Sequence, residues 1–74
     1  MHEAVMVDIE RYLAVNGGAI DSAEGVRGFW LSPPLRSVSM EDVITALREL
    51  EARGVVERQR IGSGFVYAKR RAVR

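Results

Sequence analysis

Residues 39–71, SMEDVITALRELEARGVVERQRIGSGFVYAKRR, narrow the folds open to this chain more than any other stretch. A capped helix ends at a glycine and passes without a spacer into two alternating runs folded at a second glycine. Ser39 stands where an N-cap is needed, and Asp42 takes the capping-box position three residues on. Glu41 and Asp42 also place negative charge at the positive end of the helix dipole. Val43, Leu47 and Leu50 recur at helical spacing as the buried stripe, with Met40, Ile44 and Ala46 beside it. Gly54 supplies the C-cap, so the spacing predicts a helix over 40–53. Beyond it, 55–60 and 65–70 read as strands, and Gly62-Ser63 suits a two-residue type II′ turn. That turn sets Arg60 against Phe65, Arg58 against Tyr67 and Val56 against Lys69. An arginine then faces an aromatic ring twice, within reach of cation–π contact.

Upstream, Val5, Ile9, Tyr12 and Leu13 fall on one face of a helix predicted over 4–15, with Met6 at its edge and Asp8, Glu10 and Arg11 away from its centre. Gly17-Gly18 is expected to end it by tolerating positive φ. Val7 and Val15 lie on the other side, as surface residues or as part of a subunit contact. Ala19-Ile20 is long enough only for an isolated bridge strand. Asp21 as N-cap with Glu24 three residues on opens a second helix over 22–30. Gly25 and Gly28 each cost up to about 1 kcal/mol there, so this helix is expected to be short or irregular. Pro33 and Pro34 stop it. The stretch Gly28 to Leu31 is read as a core anchor, with Trp30 at a binding surface as the alternative.

With 74 residues, 47% of them apolar, and no cysteine, the chain is one domain with a marginal core and no disulfide or thiolate metal staple. Its charge is uneven. Residues 54–74 hold one acid and six bases, a net +5 against −4 over the rest. Such asymmetry points to an anionic partner or to a solubilising basic tail, here 71–74.

The order helix, two glycines, short strand, helix, break, capped helix and basic hairpin resembles the winged helix-turn-helix family. The resemblance rests on Tyr12-Leu13, Asn16-Gly17-Gly18 and Ile20; on Ser39, Val43, Ala46, Leu47, Leu50 and Glu51; and on Gly54 to Arg58 with Gly64 to Tyr67. It covers nearly the whole chain. The second helix departs from the family pattern in having glycines, Trp30 and two prolines. The resemblance implies an α+β fold of three helices and a C-terminal two-stranded wing, with room for a short first strand at 19–20. It also implies duplex DNA as the partner, with the third helix in the major groove and the wing along the backbone. Arg58, Arg60, Lys69, Arg70 and Arg71 are then the wing and tail phosphate contacts. Arg36, Ser37 and Ser39 are candidates at the turn and cap, where backbone N–H groups favour anions. Thr45 and Arg48 are the candidates on the third helix.

The same helix carries Glu41 and Asp42 where DNA readers tend to be polar or basic, so a protein–protein module is the alternative. Met40 and Ile44 then belong to a contact surface or to the rim of the core. Catalysis has no constellation to rest on: His2 is the lone histidine, thiol chemistry is excluded, and Gly62-Ser63-Gly64 lacks what a phosphate loop needs. No cofactor, metal or small-molecule ligand is indicated. No apolar run approaches the roughly 18 residues of a membrane span, and no secretory signal is evident. The expectation is a cytoplasmic regulator of a prokaryote, its virus or its plasmid, nucleoid-associated if it binds DNA. A homodimer is expected, since one such domain covers a single half-site.

Overall fold

The structure, a computed structural model, describes residues 2–71. Helix α1 spans His2–Val15, strand β1 Ile20–Asp21 and helix α2 Ala23–Gly25. The last runs on into a π-helical turn, Val26–Trp30, followed by a 3-10 turn, Pro33–Leu35. Helix α3 spans Met40–Ala52, and strands β2 (Val56–Ile61) and β3 (Gly64–Lys69) form the hairpin. The architecture is α+β, three helices against one antiparallel sheet of order β1-β3-β2.

Helix α1 begins two residues before the predicted start. It also ends by a different device than expected. Neither Gly17 nor Gly18 has positive φ. Instead Asn16 closes the helix, its backbone N–H and its side-chain amide both donating to the Tyr12 carbonyl, at 2.8 and 3.1 Å.

Strand β1 is not an isolated bridge. It sits one residue later than predicted and pairs with β3, Ile20 opposite Ala68 and Asp21 opposite Tyr67. That pairing holds Asp21 in extended backbone, so the cap of α2 falls to Ser22. Its hydroxyl accepts from the Gly25 N–H at 3.2 Å, while the Asp21 carboxylate accepts from the Ser22 N–H at 2.8 Å.

The second helical segment is irregular, as its glycines predicted. The wide π turn buries Val26, Trp30 and Leu31 but leaves Phe29 72% exposed. The expected anchor is therefore Trp30-Leu31 without Phe29. Trp30 stacks on Tyr12, ring centroids 5.3 Å apart and planes 11° from parallel.

Helix α3 follows its sequence signals closely. The Ser39 hydroxyl accepts from the Asp42 N–H at 3.1 Å. At the other end Gly54 takes φ +78°, its N–H donating to the Glu51 carbonyl and that of Val55 to the Leu50 carbonyl. This is a Schellman motif, with Arg53 as the C-cap. It aims the chain directly into β2.

The hairpin has the predicted register: Val56 opposite Lys69, Arg58 opposite Tyr67, Arg60 opposite Phe65. The strands reach one residue nearer the tip than expected, with Ile61 opposite Gly64. Gly62 alone at the tip has positive φ, +61°, the mark of a type II′ turn. At the root, the Arg70 N–H still bonds to the Val55 carbonyl at 2.9 Å.

The core lies between α1 and α3. Val5, Ile9 and Leu13 meet Val43, Ala46, Leu47 and Leu50, closed by Val26, Trp30, Leu31, Val56 and Tyr67. Each fully buried aliphatic side chain contributes about 1.5–3 kcal/mol. Among the described residues Asp8 is the one buried charged side chain, and it ties α1 to the loop before the 3-10 turn through Ser32.

Candidate nucleic-acid interface

Residues opposite one another in the hairpin share a face, so Val56, Arg58, Arg60, Phe65, Tyr67 and Lys69 lie on one side. Val56 and Tyr67 are buried against the helices, whereas Arg58, Arg60, Phe65 and Lys69 are exposed. The hairpin is thus anchored at its root by two apolar residues and presents Lys69 beside them and Arg58 and Arg60 toward the tip.

Arg58 is the best-held of these. Its Nε lies 3.8 Å from Glu51 Oε2 on α3, and its guanidinium carbon sits 4.5 Å above the centre of the Phe65 ring. The cation–π contact is therefore diagonal, not between the directly opposed pairs Arg58–Tyr67 and Arg60–Phe65 expected from the register. Tyr67 is turned into the core, which leaves the Phe65 ring as the open face. Arg60, nearer the tip, makes no ion pair with the described residues.

The structure brings Arg58, Arg70 and Arg71 around one concavity of about 350 Å³, shared with Glu51 and Glu57. Arg70 reaches back to the end of α3: a Cβ placed on Gly54 would lie 3.6 Å from its Nη1. A cation there also complements the negative end of the helix dipole. Lys69 and Arg71 border a second recess beside Gly17 to Ile20. Of the expected basic tail over 71–74, residues 72–74 lie outside the described residues.

The α3 candidates form a separate group. Thr45 and Arg48 are exposed on the outer face, in line with Glu41. Ser39 is occupied as the cap. Arg36 donates from Nε to the Leu31 carbonyl at 3.0 Å, so it braces the turn before α3 while staying exposed, and Ser37 beside it is exposed. Arg27 braces the same turn through the Val38 carbonyl at 3.4 Å. Between α3, β3 and the start of α2 runs a mainly apolar groove of about 440 Å³ lined by Met40, Ile44, Phe65 and Tyr67, with Ser22, Ala23 and Glu24 also on it. Met40 and Ile44 are half-buried on its rim.

Among the described residues one ionisable group, Asp8, departs clearly from its ordinary behaviour. The Ser32 hydroxyl and then the Ser32 N–H hold the Asp8 carboxyl below its usual value; burial opposes them, and the Arg11 charge adds a smaller lowering. Its position away from the centre of the α1 stripe gave no signal that it would be buried. Among the described residues no three His, Asp or Glu side chains gather as metal ligands, and no helix is long and apolar enough to cross a membrane. Comparison with protein-family models, with curated proteins and with solved structures gave no match.

Proposed function

We propose that this protein is a winged-helix DNA-binding protein, a small transcriptional regulator that acts as a homodimer in the cytoplasm of a prokaryotic cell or on behalf of its virus or plasmid. The observation that carries the reading is the basic hairpin packed against the capped helix α3. Arg58, Arg60, Lys69, Arg70 and Arg71 project from the strands and their root, next to a helix whose outer face offers Thr45 and Arg48. Five such cations support backbone binding without sequence information, and Glu41 on the outer face of α3 leaves that helix the smaller share of the affinity.

A salt titration of duplex binding over random and genomic sequence pools tests this. Five phosphate contacts give a slope of about −4 to −5 in log affinity against log salt, and Arg58→Ala with Arg60→Ala flattens it by about two. If no duplex is shifted at low salt, the reading fails.

The apolar groove between α3 and β3 favours one alternative, a protein-interaction module with little sequence-specific DNA binding. Ile44→Asp places a charge in that groove and Glu41→Lys reverses the charge beside it. On this reading both variants lose a co-purifying partner, while DNA binding in the wild type is weak and indifferent to sequence.

A further inference from the structure

The two most exposed large apolar side chains among the described residues, Val15 at 81% and Phe29 at 72%, border the same concavity. Its volume is about 370 Å³, and the stacked rings of Tyr12 and Trp30 line it. It is built from α1 and the Asn16 that closes it, the π turn and Leu31-Ser32, with nothing from α3 or the hairpin. A phenylalanine left in water forgoes the stabilisation its ring would gain in an apolar contact. The π turn that exposes Phe29 also sets it at the edge of an apolar recess it does not fill.

We propose that this concavity is the contact between two copies of the chain, related by a two-fold axis, with Phe29 of each seated against Tyr12, Val15 and Trp30 of the other. A two-fold contact uses one patch twice, so the patch must hold both a protrusion and a matching recess. This one does. Charge selects it as well. On its border Arg11, its side chain 75% exposed, lies 3.9 Å from the Asp8 carboxylate, so two like patches meet close to neutral. The hairpin side carries five cations against two nearby carboxylates, and copies meeting there repel. With α3 and the hairpin absent from the contact, both stay free in the pair.

The apolar area on offer is modest, one phenylalanine and one valine beyond the shared aromatic floor. Stable complexes bury roughly 1,200 Å² or more in total, so a contact carried by so few apolar side chains is expected to be weak and concentration-dependent. The contact deepens the homodimer reading above but stands independently of DNA binding.

Sedimentation of the full chain from about 1 μM to about 1 mM tests it, a span that brackets weak affinities. The expected result is a dimer with a Kd of roughly 10–100 μM, at the weak end of specific association. Phe29→Asp and Val15→Asp each weaken it at least tenfold, whereas Ile61→Asp, at an exposed site on the hairpin tip, leaves it unchanged. Trp30 is the only tryptophan, so its emission should shift along the same concentration curve in the wild type and not in Phe29→Asp. The chain has no cysteine, which permits a second readout. Phe29→Cys on one copy and Val15→Cys on another should form the mixed disulfide in preference to either homodisulfide. A chain monomeric across the range, a Phe29→Asp variant that pairs like the wild type, or a cross-link without that preference overturns the proposal. Loss of DNA binding with the dimer intact instead sinks the DNA reading alone.

Discussion

One carboxylate oxygen of Asp8 accepts both donors of Ser32, the backbone N–H at 2.8 Å and the hydroxyl at 2.6 Å. These bonds span 24 residues and join α1 to the strand-like residue before Pro33-Pro34. The loop that sets the start of α3 is thereby fixed to the first helix.

That relationship predicts an acid-sensitive term in stability. The Asp8 carboxyl is held below its ordinary value of 3.8 by the Ser32 bonds. A depressed carboxyl stabilises the folded state fully above its unfolded value, about 3.9, and that contribution is lost as pH falls through the lower folded value. Asp8→Asn should therefore cost about 1–2 kcal/mol in urea unfolding near neutral pH and less at about pH 2. An equal cost at both pH values would contradict this.

The turn out of α3 depends on Gly54. With φ at +78°, an L side chain there meets its own backbone whatever space surrounds it. Gly54→Ala should lower stability by about 1–2 kcal/mol in thermal or denaturant unfolding.

Gly25 fails for a different reason. It is buried, and a Cβ there would collide with the Asp21 carboxylate that caps the Ser22 N–H. Gly25→Ala is expected to cost about 1–3 kcal/mol, and pairing it with Asp21→Ala should recover part of that loss, as a double-mutant cycle would show.

Glu51 competes for Arg58 across 3.8 Å. If the hairpin binds duplex DNA as proposed, Glu51→Gln frees that guanidinium and removes a carboxylate from beside the phosphates. Affinity at low salt should rise about two- to fivefold, with the gain fading at high salt. Unchanged binding would remove Arg58 from the interface.

Phe65 offers its ring to the same arginine, 4.5 Å away. Phe65→Leu keeps the apolar contact and discards the ring face. It should cost about 0.5–1 kcal/mol of stability, and much less when Arg58 is already alanine.

Much of this molecule is written in short-range chemistry. The cap at Ser39, the glycine at 54, the type II′ turn at Gly62-Ser63 and the strand register follow from residues within a few positions of one another. Each is satisfied by its own neighbours, so the sequence can be read for it directly. The buried stripes of α1 and α3 are legible for the same reason, through their period. Within the candidate interface, the identity of the basic residues is equally plain from the chain.

What neighbours cannot decide was settled by packing. Pairing with β3 drew Asp21 into the sheet and passed the cap to Ser22. Burial of Tyr67 moved the cation–π contact from the opposed pairs to the Arg58–Phe65 diagonal. The π turn sent Phe29 outward while Trp30 went in, and Ser32 drew Asp8 into the interior. In each case the residue's immediate neighbours left its placement open. A partner distant in sequence supplied the difference, and only the assembled structure contains that partner.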